Sequence, residues 1–189
     1  MFLARRPSQT EIEAFIDRSI SLPLSYDPIG IAQQNTAGFK LDEARAVVGL
    51  GEAAFERAKG VLGQWRQFEL GWVELFPRRA SIAPGTAVAV LVHHGALWSI
   101  NGCRVVYSLG DECSSFGFAY GTLPNHAEMG EEIFQVEINH DSGEVSYIIR
   151  AASKPRALLA RLGYPYVRFS QSRFRRDSLA AMRRAIETH

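Results

Sequence analysis

Apolar residues keep helical spacing at both ends of this chain and two-residue spacing through its middle. In residues 8–19, Ile12, Phe15 and Ile16 form one helical stripe, and Ser8 with Glu11 has the form of a capping box, so a first helix is predicted there. Residues 21–38 carry Pro23, Pro28, Gly30 and Gly38 and read as an irregular arm, either wrapped or mobile. Residues 39–48 read as a strand, although Glu43-Ala-Arg-Ala also suits a helix. A sharp turn at Gly49-Leu-Gly51 precedes a second helix over 52–67, with Phe55, Ala58, Val61, Leu62 and Trp65 on one stripe. The period then falls to two. Strands are predicted over 68–76, 86–94, 97–109, 113–122, 130–139 and 144–152, with turns at Gly95, at 110–112 and at 140–143. The tail returns to helical spacing, with a short segment over 157–162, a break at Gly163, and a long helix from Pro165 to about Thr188.

The chain is organised around residues 116–138. Phe116, Phe118 and Tyr120 fall on one strand face, and Gly117, Ala119 and Gly121 on the other, because strand side chains alternate. One face is a row of rings; the other is nearly bare backbone, against which something bulky can lie. In the next strand Phe134, Val136 and Ile138 form an apolar row, with Gln135, Glu137 and Asn139 facing the other way. The link between the strands holds Pro124, His126, Glu128, Glu131 and Glu132. An aromatic wall, a bare wall and an acidic loop with one histidine suggest the edge of a cavity.

Successive strands with short links imply an antiparallel meander, which must cover one face. The terminal helix is the only remaining element large enough. We therefore expect an α+β fold of one domain over 1–189. Its core, 39–189, is a curved sheet made of the meander plus an N-terminal strand, gripping a long C-terminal helix; 1–38 is a helix and arm. The helix stripe Val167, Gln171, Phe174, Ser178, Ala181 and Ala185 is partly small and polar. That leaves two outcomes, an open cavity or a core filled by the sheet's own aromatics.

Composition changes this picture little. Residues 80–103 contain no Asp, Glu, Lys or Arg, but Pro84, Gly85, His93, His94, Gly95 and Asn101 interrupt them, so two strands are expected there and no membrane span. A formal net charge of +1 gives no global attraction to nucleic acid or anionic membranes. Two cysteines are too few for a disulfide framework, and the first residues lack a signal-like apolar run; a cytoplasmic protein is the expectation.

Several motifs agree in order with one known family. They are Gly49-Leu-Gly-Glu-Ala-Ala-Phe-Glu-Arg-Ala58, Trp65 with Gly71-Trp72, Pro84-Gly-Thr86, Trp98-Ser-Ile-Asn-Gly-Cys-Arg104, Phe116-Gly-Phe-Ala-Tyr-Gly-Thr-Leu-Pro124, His126-Ala-Glu128, Gly130-Glu-Glu132 and Phe174-Arg-Arg-Asp-Ser-Leu179. From about residue 20 onward the chain resembles uncharacterised protein family 0548, a domain of unknown function. The resemblance implies no established activity, substrate or cofactor. It is compatible with the helix-grip superfamily of lipid-transfer START domains and polyketide cyclases, a likeness of fold, which does not fix function.

Candidate chemistry divides between a site and plainer uses. Arg104 shares a strand face with Trp98, Ile100 and Val106, and an arginine on an apolar face needs a partner. A ligand carboxylate or phosphate supplies one through a bidentate fork; so does Glu131 or Glu132 across the sheet, or simple exposure at an edge. His126 with Glu128, Glu131 and Glu132 suits a divalent metal or proton transfer, but the spacing matches no metal motif and such loops ordinarily cap a cavity mouth or are solvated. His93 and His94 point to opposite faces, so one is expected inside as a hydrogen-bonded core histidine. Cys103 and Cys113 read as small apolar fillers. Gly49-Leu-Gly51 lacks the rest of a phosphate loop, and positive φ in a turn explains both glycines. No nucleophilic triad stands out and no cofactor motif is present, so the expected cofactor set is none.

The first functional expectation is a pocket for a small hydrophobic or amphipathic molecule, lined by Trp98, Arg104, Phe116, Phe118 and Tyr120 from the sheet, His126 and Glu132 from the loop region, and Gln171 and Phe174 from the terminal helix. The alternative is an enzyme of cyclase, dehydratase or hydrolase type using His126, Glu132, Tyr120 or Arg104 there, which requires at least one of them to line the cavity. A third reading uses the arginines Arg168, Arg173, Arg175, Arg176, Arg183 and Arg184 of the terminal helix to meet a protein or nucleic acid. Nucleic acid is disfavoured, because these arginines are spread around much of the helix in a nearly neutral chain. The oligomeric state is left open.

Overall fold

The Ser8 hydroxyl accepts the Glu11 N–H at 3.3 Å, and the Glu11 carboxylate accepts the Ser8 N–H at 2.8 Å. This reciprocal cap starts α1 (Gln9–Ser19), which buries Ile12 and Phe15. The structure, a computed structural model, describes residues 1–34, 36–111, 113–155 and 164–188. The tail segment expected over 157–162 and the break at Gly163 lie outside the described residues.

A two-residue strand β1 (Phe2–Leu3) precedes α1, and a single turn of helix, α2 (Ile31–Gln34), interrupts the arm. The ambiguous stretch that follows is a strand, β2 (Lys40–Leu50). It runs through Gly49, so the turn is confined to Gly51, where φ is +76°. Gly49 is needed for space: a Cβ there would lie 2.7 Å from Ala54 Cβ. After α3 (Glu52–Gly63), Trp65 takes a left-handed φ of 60° and leads into a 3₁₀ turn at Arg66–Phe68. Its indole N–H donates to the Ala80 carbonyl at 2.9 Å, which helps hold this unfavourable backbone. The strand expected from residue 68 therefore begins later, as β3 (Val73–Phe76).

The remaining strands are β4 (Ala87–His93), β5 (Trp98–Leu109), β6 (Ser115–Thr122), β7 (Glu128–Ile138) and β8 (Glu144–Pro155), followed by α4 (Tyr164–Glu187). All pair antiparallel in the order β2-β8-β7-β6-β5-β4-β3, and β1 lies beside the first residues of β5, where β6 does not reach. The expected meander is present, closed at its end by β2. Cys103 is a buried filler; Cys113 is exposed before β6, its N–H given to the Asp111 carboxylate at 3.0 Å.

The curled sheet is covered on both faces. Its concave face presents Val88, Val90, Cys103, Val105, Phe118, Tyr120, Phe134 and Tyr147 to α3 and α4, so α4 shares the grip with α3. On the convex face α1 packs over Phe76, Ala89, Leu91 and Ile100, while Tyr26, Ile31 and Ala32 of the arm pack over Ala119, Ile133 and Ala152. The bare wall of β6 has its bulky neighbour: a Cβ on Gly121 would fall 2.3 Å from the Tyr26 hydroxyl oxygen. The arm is thus wrapped against the sheet.

Candidate functional site

The hollow between sheet and helices has two unlike ends. At one, Trp65 meets Phe118 with ring centroids 4.5 Å apart, and Phe118 meets Phe134 at 5.6 Å. The Tyr147 and Ser178 hydroxyls bond at 3.1 Å, and Met182, Ala185 and Ile186 of α4 complete a solid core. At the other end, beyond the reach of α3, a cavity of about 210 Å³ remains, walled by Phe68, Trp72, Tyr120, Glu132, Gln171 and Phe174. That exceeds the roughly 150 Å³ in which an engineered apolar cavity holds benzene, so one small organic molecule fits.

Tyr120 and Glu132 face each other across the β6–β7 register, and the phenol donates to Glu132 Oε2 at 2.8 Å. Among the described residues, Glu132 Oε1 has no protein partner, and the residue lines the cavity. Burial pushes the Glu132 carboxyl up to about 7, against the opposing pull of the Tyr120 hydrogen bond and of Arg175. Burial also raises the Tyr120 phenol, and the neighbouring carboxylate raises it further.

A polar rim surrounds this pair. Asn101, 4 % exposed, donates to Ser99 Oγ at 3.0 Å and accepts the Ala127 N–H at 3.2 Å. His94 bridges sheet and helix, with Nε2 2.8 Å from Ser99 Oγ and Nδ1 2.8 Å from the Tyr166 hydroxyl. Burial, and then His93, lowers its pKa and favours the neutral ring. Gln171 donates to Glu128 Oε1 at 2.7 Å and to Ser153 Oγ at 3.2 Å, and accepts from Arg168 at 2.7 Å. Arg168 in turn holds Asp42 of β2 at 2.7 Å. Trp72 is clamped by α4: its indole N–H donates to Asp177 at 3.0 Å and Arg173 lies 4.2 Å over its ring.

Of the residues expected at a pocket, Tyr120, His126, Glu132, Gln171 and Phe174 come together at this cavity. Nδ1 of His126 accepts the Glu128 N–H at 2.9 Å. Phe116 and Phe118 are on the same concave face but belong to the solid end, because α3 and Trp65 fill the space above them. Trp98 and Arg104 do share a face with Ile100, but it is the convex one. Trp98 stacks on His93 at 4.3 Å. The Arg104 guanidinium donates to the carbonyls of Ser19, Ile20 and Leu22 at 3.2, 2.6 and 2.7 Å, capping the end of α1, and not to Glu131 or Glu132. Glu131 also faces outward, accepting from the Tyr26 and Tyr107 hydroxyls and the Gly30 and Ala32 N–H groups.

Ser99, Asn101, Trp72 and Tyr166 line the cavity without having been expected there, and so does His94, which was weighed only as a core histidine. A signal existed for two of them: Ser99 and Asn101 alternate with Trp98, Ile100 and Gly102 in a strand otherwise free of polar side chains until Arg104. Several arginines of α4 are engaged within the protein, Arg168 by Asp42, Arg173 and Arg176 by Asp177, and Arg183 by the Val47 carbonyl. Among the described residues, no three His, Cys, Asp or Glu side chains are grouped to hold a metal ion, and no helix is long and apolar enough to cross a membrane.

Comparisons with known proteins agree with this architecture. A family model described as a domain of unknown function (DUF1990) matches residues 25–181. A UPF0548 protein of Dictyostelium discoideum is 30% identical, over 98% of this chain and 96% of its own length. Among solved structures, the Zhui aromatase/cyclase of Streptomyces sp. R1128 is similar with a TM-score of 0.53 at 13% identity, over 79% of this chain and 94% of that one. Human STARD10 is similar with a TM-score of 0.50 at 12% identity, over 98% of this chain and 82% of that one. At such identities these two likenesses show the helix-grip fold alone.

Proposed function

The chain belongs to the uncharacterised UPF0548 family, and we propose that it binds a small hydrophobic or amphipathic molecule between the concave sheet face and α4. The observation that carries this reading is the unfilled space beside Tyr120 and Gln171, in a hollow whose other end is packed solid. Its lining joins aromatic and aliphatic side chains to convergent polar ones such as Asn101, His126, Glu132 and Gln171, which suits a small molecule with both kinds of surface. The name of the aromatase/cyclase is in keeping with a grip that holds molecules, but it identifies none for this chain. Tyr120, His126, Glu132, Gln171 and Phe174 are the residues assigned to contact. Native mass spectrometry of freshly purified protein, with a thermal-shift panel of lipids and metabolites, tests it. Retained small-molecule mass or a ligand-dependent rise in melting temperature is expected; neither appearing would end the proposal.

A second reading has one observation in its favour. Tyr120 and Glu132 form a hydrogen-bonded acid–base pair inside a cavity, with the carboxyl held near neutrality, where proton transfer in either direction is accessible. An enzyme of cyclase, dehydratase or hydrolase type would use such a pair. The same mass measurement separates the two readings, because a binding module returns its ligand unchanged and an enzyme does not.

A further inference from the structure

We propose that the molecule taken by this cavity is a small protonated amine, its ammonium set against Glu132 Oε1 and its apolar body against Phe68, Trp72 and Phe174. The inference rests on the cavity being a ligand site, and it names the class of ligand.

Three features carry it. First, Glu132 lines the cavity with one oxygen held by Tyr120 and the other without a protein partner among the described residues. A carboxylate so placed calls for a cation, and among the described residues no protein cation pairs with it directly, although the charge of Arg175 favours its ionised form. Arg175, the arginine on the cavity wall, bonds Ser172 Oγ at 3.4 Å and lies 4.0 Å from Asp42. Arg168 is held by Asp42 and Gln171, and Arg173 by Trp72 and Asp177. Second, Glu128 on the same wall adds a further acidic group, which opposes an anionic guest. Third, the apolar lining is largely aromatic, and ring faces attract cations as well as hydrocarbon. The Tyr120 phenol acts as donor to Oε2, which leaves Oε1 as the acceptor of a side chain that lines the cavity.

The groups facing Glu132 from the surrounding elements set the pH behaviour. Cys103 on β5, Tyr120 on β6 and Tyr147 on β8 are all pushed up by burial and stay neutral; Glu128 opposes its ionisation and Arg175 favours it. An alkylamine keeps its proton up to about pH 10. Glu132 loses its own through about 7, so amine binding strengthens as pH rises from 6 to 8 and releases a proton.

Calorimetric titration of the full chain with hexylamine, hexanol and hexanoate, three probes sharing one apolar body, tests this. At pH 8 hexylamine is expected to bind about tenfold or more tightly than hexanol, with hexanoate weakest. The amine's affinity falls by about tenfold at pH 6 while that of hexanol does not change. In Glu132→Gln the advantage of the amine over the alcohol disappears. Hexanol binding as tightly as hexylamine, or an amine advantage that survives in the variant, overturns the amine assignment and leaves the cavity reading intact. Should the variant not fold, the pH comparison on the unaltered chain still decides. If no probe binds, the amine assignment falls, and the mass of any retained molecule judges the cavity reading separately.

Discussion

Glu131 and Glu132 are neighbours in β7, and the one-residue step between them places them on opposite faces of the sheet. Glu131 is 2 % exposed, and its oxygens receive four donors, the phenols of Tyr26 and Tyr107 and the amides of Gly30 and Ala32. Glu132 receives one, from Tyr120, and looks into a cavity. The same side chain is a structural rivet on one face and lines an open hollow on the other. What separates the two uses is how many of the carboxyl's acceptor positions the protein has consumed. The convex face spends its polar groups on fastening the arm and α1, as Glu131 and Arg104 do; the concave face keeps one in reserve.

The strongest way to break this comparison is Glu131→Ala. It strands two phenols and two backbone amides in the interface between arm and sheet, each carrying a desolvation cost of about 1–3 kcal/mol that relaxation and entering water only partly relieve. A loss of about 3 kcal/mol or more is expected in urea unfolding, together with faster proteolytic cutting in the arm. Stability equal to that of the parent would show that Glu131 holds nothing.

Glu132→Gln is expected to act in the opposite direction, and only above a certain pH. The folded-state carboxyl titrates near 7, above its ordinary value of 4.5, so the native state binds its proton more tightly than the unfolded chain does. The group's contribution is therefore fully present below about 4.5 and is lost as pH rises through about 7. Glutamine keeps the acceptor for Tyr120 and cannot ionise. At pH 8 the variant should be more stable than the parent by on the order of 2 kcal/mol, and at pH 4 the two should agree. Unfolding midpoints across pH 4–8 measure this, and parallel curves would mean that Glu132 is not held in a poorly solvated place.

Much of the fold is legible in the residues because period two leaves little choice. Phe118 and Tyr120 must share a face, Gly117 to Gly121 must leave room, and Tyr26 occupies that room. Which face of β5 meets the helices is not legible. Trp98 and Ile100 on one side are as apolar as Cys103 and Val105 on the other, because the arm and α1 cover the outside as thoroughly as α3 and α4 cover the inside. Arg104 could therefore be placed beside Ile100 but not assigned to the outer surface. Trp65 hides the end of α3 in the same way: nothing local announces a tryptophan at a left-handed φ, and the long helix and early strand expected there both follow from missing it. For Glu132 the information was present. It lies two residues from Phe134, in the row that forms the concave wall, and only its grouping with the loop obscured that.

The smallest expected effect sharpens the contrast most cleanly. Arg104→Met removes a guanidinium that donates to three carbonyls at the end of α1, where the helix dipole also favours positive charge, while the methionine keeps most of the aliphatic stem. Because the carbonyls lie near the surface and water can replace the lost donor, the cost should be about 1 kcal/mol, seen as a small drop in unfolding midpoint with an unchanged slope. Ligand binding in the cavity should not change, since the side chain is on the other face of the sheet. A variant that kept its stability and lost its ligand would reverse both halves of this expectation. It would mean that the outer face, and not the hollow beside Tyr120, carries the site.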